Sequence, residues 1–292
     1  MSRRFGTVAG TLLTALSIAV VGSTPAHALT VTDAKTALTT TNYVALGDSF
    51  AAGTGDGTYG TSGSCYRSLY AYPVVDSTAS GTSKIDATFV ACSGATTGGI
   101  PGQLTAAGMT VKAEDVKYVS LTIGGNDAGF ADAMKTCLGS GDCTTNATFT
   151  QSVAAKTSAV TDMIAANMTA IRANYSGAQI VVTGYPKLFQ IASGKSSCAV
   201  GSLMTMTSAE TTFLDQAAVA LNAKISKGVA EAGAKFVDPN TGPNTFIGHG
   251  LCLGSTKSWI NSLNLFNRTG AFHPNKTGQA NYAATVAAGI DG

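Results

Sequence analysis

Tyr43-Val44-Ala45-Leu46-Gly47-Asp48-Ser49-Phe50-Ala51-Ala52-Gly53 begins with an apolar run and stops abruptly on Gly-Asp-Ser. A short run without alternation, ended by turn residues, is the pattern of a strand buried on both faces. The same pattern recurs downstream. Thr88-Phe89-Val90-Ala91 stops at Cys92-Ser93-Gly94, and Tyr118-Val119-Ser120-Leu121-Thr122-Ile123 stops at Gly124-Gly125-Asn126-Asp127. Gln179-Ile180-Val181-Val182 runs into Thr183-Gly184-Tyr185-Pro186, and Lys235-Phe236-Val237 into Asp238-Pro239.

Helical stretches separate these runs. From Thr150 to Tyr175, Val153, Val160, Ile164, Met168 and Ile171 recur near helical spacing. Thr207-Ser208-Ala209-Glu210 has the form of a capping box, in which the Thr hydroxyl and the Glu carboxylate each satisfy an amide of the first turn. A last helix is predicted to start at Pro274, where a missing N–H costs nothing. Alternating strands and helices predict an α/β protein, a three-layer α/β/α sandwich around a central parallel sheet of about five strands. Ligands of such sheets bind beyond the carboxyl ends of the strands, so Ser49, Gly94 and Asn126 are expected on one rim.

The chain start reads as an address. Arg3 and Arg4 precede an apolar run from Val8 to Val21, and Pro25-Ala26-His27-Ala28 offers a small-x-small cleavage site. Residues 1–28 are therefore predicted to be a signal peptide and 29–292 a single domain of an extracellular protein. The apolar run is shorter than the roughly 20 residues of a membrane span, and no later segment comes close. Without the leader, 16 basic residues face 16 acidic ones, a balance with no electrostatic footprint for nucleic acid or an anionic membrane. A monomer is expected.

Cys65, Cys92, Cys137, Cys143, Cys198 and Cys252 all follow the leader, and an even count in an exported chain points to disulfides. The turn-like Leu138-Gly139-Ser140-Gly141-Asp142 suggests Cys137 with Cys143, and sequential pairing is taken for the other four. There is no C-x-x-C pair, and outside the leader only His249 and His273 offer imidazole, so neither metal nor cofactor is expected. There is no P-loop, no dinucleotide fingerprint after a strand and no G-x-S-x-G elbow.

Four blocks remain: Gly-Asp-Ser at Ser49, Ser-Gly-Ala-Thr at Gly94, Gly-Gly-Asn-Asp at Asn126 and Phe-His-Pro at His273. In this order they resemble the GDSL-type, or SGNH, hydrolases, and together they span most of the chain after the leader. The resemblance implies the flavodoxin-like SGNH-hydrolase fold and a secreted serine ester hydrolase. In it Ser49 would be the nucleophile and His273 the base. The N–H of Ser49, the N–H of Gly94 and the side-chain amide of Asn126 would hold the oxyanion. Ser needs a base within hydrogen-bond reach, and His can both take the proton and return it. His273 precedes Pro274 and a helix, as the last block requires, whereas His249 lies in Gly248-His249-Gly250 and reads as a loop residue.

One position departs from the family pattern. The last block usually reads Asp-x-x-His, and here Gly270 stands where the acid is expected. Relatives that use a main-chain carbonyl instead suggest a Ser49–His273 dyad oriented by the carbonyl of Gly270 or Ala271. The rival is a distant acid such as Asp238.

The substrate is read as a lipid ester, because the cysteine layout and Trp-Ile-Asn-Ser-Leu resemble secreted actinobacterial lipases and phospholipases of this family. A carbohydrate acetylesterase on the same scaffold is the alternative, and a non-catalytic binding module the third. Trp259-Ile260, Leu263, Leu265-Phe266 and Phe272 either line an acyl groove or pack as loop core.

Overall fold

The strand β2 (Tyr43–Gly47) is the centre of the sheet, and Tyr43, Val44, Ala45 and Leu46 have no exposed surface. The computed structural model describes residues 29–30, 42–59, 62–74, 87–139, 141–202, 204–264 and 268–291. The expected leader, residues 1–28, lies outside them, as do Leu265 and Phe266.

Before and after β2 come β1 (Leu29–Thr30), α1 (Ser49–Ala52), β3 (Ala87–Phe89), α2 (Ile100–Gly108), β4 (Tyr118–Thr122), α3 (Phe130–Cys137) and α4 (Ala147–Asn174). The chain continues through β5 (Gln179–Thr183), β6 (Ser197–Ala199), β7 (Thr205–Thr207), α5 (Ser208–Ala230), β8 (Lys235–Val237) and α6 (Lys276–Asp291). The main sheet has the order β1-β3-β2-β4-β5-β8. Its last five strands are parallel, and only the two-residue β1 runs antiparallel, against β3. A separate antiparallel pair, β6 with β7, was not signalled by the apolar runs. Helices flank the sheet: α4 packs along α5, and α6 lies on β5 and β8 with Gly289 against Val181 and Val237. This is the three-layer α/β/α sandwich with a five-stranded parallel core.

Local chemistry sets the element ends. Asn146 caps α4 by accepting from the Phe149 N–H at 3.0 Å, so that helix starts before Thr150. The capping box at Thr207 and Glu210 is present with both bonds, at 3.2 and 2.8 Å. The last helix starts at Lys276 rather than Pro274. Pro274 instead forms a bridge with Ile260, and Asn275 takes the capping position, accepting from the Gly278 N–H at 3.0 Å.

The sheet order also places the rim. From β2 the chain goes to one neighbour, β3, and then crosses to the other, β4, so the direction of winding reverses at β2. Such a switch point opens a crevice beyond the carboxyl ends of the strands.

Candidate active site

Four loops meet at that crevice. The first follows β2, where Gly47 has φ +131° and a Cβ would lie 2.3 Å from the Thr122 carbonyl oxygen, so only glycine fits. Gln103 clamps it from α2: its Oε1 accepts from the Gly47 N–H and its Nε2 donates to the Gly47 carbonyl, both at 2.8 Å. Asp48 then caps α1 by accepting from the Phe50 N–H at 2.9 Å. Ser49 is the first residue of that helix and is almost fully buried. Its own N–H therefore has no acceptor within the helix.

His273 meets it from the far end of the chain. Its Nε2 lies 2.8 Å from Ser49 Oγ, and its Nδ1 lies 2.9 Å from the Ala271 carbonyl oxygen. A carbonyl only accepts, so Nδ1 carries the proton and Nε2 presents its lone pair to the Ser49 hydroxyl. Between the two expected carbonyls the structure separates the roles. Gly270 accepts from the main-chain N–H of His273 at 3.3 Å, and Ala271 alone takes the imidazole. Asp238, the rival acid, is held by the Asn240 N–H at 2.9 Å and the Asn240 Nδ2 at 2.8 Å. Among the described residues no carboxylate hydrogen-bonds to His273.

The segment carrying His273 is held by pairing. Phe272 N–H donates to the Asn261 carbonyl at 2.8 Å and Asn261 N–H to the His273 carbonyl at 2.9 Å. Phe272 itself sits at φ +62°, a conformation that costs a non-glycine residue about 1–3 kcal/mol and recurs where function demands it. Phe50 packs against the imidazole with ring centroids 5.0 Å apart. Burial pulls the His273 pKa down to about 4 from its ordinary 6.5, with the Ala271 carbonyl opposing.

The remaining two loops carry Gly94 and Asn126. Gly94 has φ +80° and is exposed on the rim. Its segment is anchored from below: buried Arg67 donates to the carbonyls of Ala91 at 2.6 Å and Val90 at 3.3 Å. The Cys65–Cys92 disulfide adjoins it, with the Ser93 N–H donating to the Cys65 carbonyl at 3.0 Å. Asn126 Nδ2 donates one hydrogen to the Ala95 carbonyl at 2.8 Å, which fixes the amide's orientation and leaves its second hydrogen for a ligand. Tyr185, buried after β5, ties this loop to the turn before Ser49: its hydroxyl donates to Asp48 Oδ2 at 2.5 Å and accepts from the Gly125 N–H at 2.8 Å. Burial pushes the Asp48 carboxyl up to about 7, the Tyr185 hydroxyl pulling the other way.

The motifs did not reveal Gln103, Arg67 or Tyr185. Tyr185 had one signal, its place in the turn after a predicted strand. The other disulfides join Cys137 to Cys143 and Cys198 to Cys252. In the apolar stretch before His273, Trp259, Ile260 and Phe272 pack on the core, whereas Leu263 is half-buried and not among the residues packed there. Trp259 stacks on His249 at 3.6 Å and meets the edge of Phe246, Ile260 is buried, and Phe272 faces Phe189. His249 itself bonds the Lys257 carbonyl through Nδ1, as a loop residue would.

A flavodoxin-like α/β/α sheet thus brings a Ser–His pair together at its switch point. The profile of the GDSL-like Lipase/Acylhydrolase family matches residues 45–280, and the chain belongs to that family as a carboxylic ester hydrolase. It is 35% identical over 281 residues to the protein named "Lipase" of Streptomyces rimosus, covering 96% of this chain and 95% of that one. The crystal structure of the extracellular lipase from Streptomyces rimosus superposes with a TM-score of 0.71 at 34% identity, over 85% of this chain and 99% of that one. Phospholipase A1 from Streptomyces albidoflavus NA297 gives 0.68 at 33% identity, over 85% and 98%. No described helix is long and apolar enough to cross a membrane.

Proposed function

We propose that this chain hydrolyses lipid esters outside the cell through an acyl-enzyme on Ser49. The observation that carries the reading is the 2.8 Å contact between Ser49 Oγ and His273 Nε2, with the opposite ring nitrogen held by Ala271. Ser49 Oγ adds to the ester carbonyl carbon as its proton passes to Nε2. The resulting oxyanion faces the N–H groups of Ser49 and Gly94 and the free hydrogen of the Asn126 amide. Collapse breaks the ester C–O bond, and the imidazolium returns the proton to the departing alcohol. Water, deprotonated by the same nitrogen, then releases the acid and regenerates Ser49. The carbonyl of Ala271 orients the ring but lends it no full negative charge.

Lipid as the substrate class is supported by the names of the similar proteins, a lipase and a phospholipase A1. Export through residues 1–28, leaving 29–292 as one domain, is supported by three disulfides, which suit an oxidising compartment. A p-nitrophenyl ester series of increasing acyl length, run beside phospholipid vesicles and acetylated xylan, tests the substrate. Activity that rises beyond acetyl and extends to phospholipid or long-chain ester is expected. Turnover of acetyl esters and xylan alone would assign a carbohydrate acetylesterase, and no turnover at all a binding module.

The pH profile follows from the buried imidazole. The base must be neutral, and its folded-state pKa is lowered, so kcat/KM on a soluble ester holds its plateau as pH drops through 6.5 and falls only near 4. An acid limb at 6.5 would refute a desolvated resting imidazole. A limb near 7 that moves in Asp48→Asn would belong to Asp48 instead.

A further inference from the structure

The proposed oxyanion hole is drawn from two turns that no main-chain hydrogen bond joins among the described residues. One turn, after β3, carries Gly94 and runs to Thr97. The other, after β4, carries Asn126 and is closed on itself by Ala128 N–H to the Gly124 carbonyl at 2.9 Å. Two side chains bridge them. Asn126 reaches the Ala95 carbonyl, as described. The neighbouring Asp127 takes three contacts from a single residue opposite. Its Oδ1 accepts from Thr97 Oγ1 at 2.6 Å, and the Thr97 N–H lies 3.2 Å from Oδ1 and 3.0 Å from Oδ2. Thr97 is buried and Asp127 half-buried, so these charge-assisted bonds are partly shielded from water.

We infer that Asp127 is a positioning residue: through Thr97 it sets the spacing between the Gly94 N–H and the Asn126 amide, and so the fit of the oxyanion. The inference rests on the proposed roles of Ser49, Gly94 and Asn126. Charge makes the case sharper. A carboxylate beside a site that stabilises developing negative charge opposes the reaction by simple Coulomb repulsion. Thr97 absorbs that charge with one N–H and one O–H, and the carboxylate is useful there only if the alignment it enforces outweighs the repulsion that remains. Alignment is worth much, because donors are effective only at hydrogen-bond distance from where the oxyanion forms, and a misplacement of about 1 Å costs about 10²-fold. The same contact orders the N-terminus of the short helical turn that begins at Thr97 and leads into α2, whose Gln103 grips Gly47. One carboxylate thereby links the third block to the second, and through α2 to the first.

Charge removal and misalignment predict opposite results, which makes the test decisive. Asp127→Ala, Asp127→Asn, Thr97→Val and Thr97→Ser are assayed for kcat and KM on p-nitrophenyl butyrate. Far-UV circular dichroism and thermal unfolding are recorded for each variant. The expected result is a fall in kcat of about 10–100-fold in Asp127→Ala with KM within about two-fold, since alignment acts on the transition state. Thr97→Val falls in the same direction, Thr97→Ser recovers most of the loss, and the double variant Asp127→Ala/Thr97→Val is no slower than Asp127→Ala. Should Asp127→Ala fail to fold, Thr97→Val against Thr97→Ser reads the same contact. Unchanged or raised kcat in Asp127→Asn and Thr97→Val would overturn the inference and leave the carboxylate a bystander. Labelling by a fluorophosphonate separates this failure from that of the underlying reading. If wild type is not labelled at Ser49, the nucleophile assignment itself is wrong. If every variant is labelled there and only kcat moves, the positioning role stands.

Discussion

Ser49→Ala and His273→Ala each lower kcat on a soluble ester by about 10⁴–10⁶-fold, and the double variant is scarcely slower than either single one. Non-additivity is the informative part. The two side chains share one proton across a 2.8 Å contact, so removing either leaves the other with nothing to do. Residual turnover then comes from the oxyanion donors and from substrate binding, which neither variant touches. The measurement is steady-state kinetics on the four proteins of the cycle, with fluorophosphonate labelling to confirm that Ser49→Ala has lost the reactive group. Additive losses, or a Ser49→Ala enzyme that keeps full activity, would place the chemistry elsewhere.

Asn126→Ala is expected to lower kcat by about 10²–10³-fold with little change in KM, as loss of one oxyanion donor does elsewhere. Its amide has two hydrogens, and the Ala95 carbonyl takes only one. Removing the side chain therefore deletes a donor and one of the bridges between the two turns. Asn126→Asp separates these effects, because a carboxylate is nearly isosteric but neither donates nor tolerates an adjacent oxyanion. It is expected to be at least as slow as Asn126→Ala. A large rise in KM with kcat preserved would assign Asn126 to ground-state binding and remove it from the oxyanion hole.

Much of the scaffold was legible because its signals are local. An apolar run such as Val44-Ala45-Leu46 followed by Gly47-Asp48 marks both a buried strand and its end, and Thr207 with Glu210 marks a helix start within four residues. Pro274 misled for the opposite reason. It is a permissible first helical residue, but a bridge to Ile260 claims it, and that partner lies on another segment. The apolar residues around Trp259 were equally ambiguous, since hydrophobicity alone cannot say whether a side chain faces a ligand or, as with the stack on His249, another side chain. Arg67, an ordinary surface residue by type, is buried because two strand-end carbonyls need donors there.

By itself the sequence determined the layered α/β/α architecture and brought Ser49, Gly94, Asn126 and His273 forward as the residues able to do chemistry, because strand ends, turns and reactive side chains are written in residue identity. Only the tertiary structure decided which oxygen meets the imidazole of His273. Every residue has a carbonyl, so the one at Ala271 carries no letter of its own. Its selection over Gly270 depends on how the 272–273 segment pairs with Asn261 and on the positive φ of Phe272, contacts that exist only once distant parts of the chain have met.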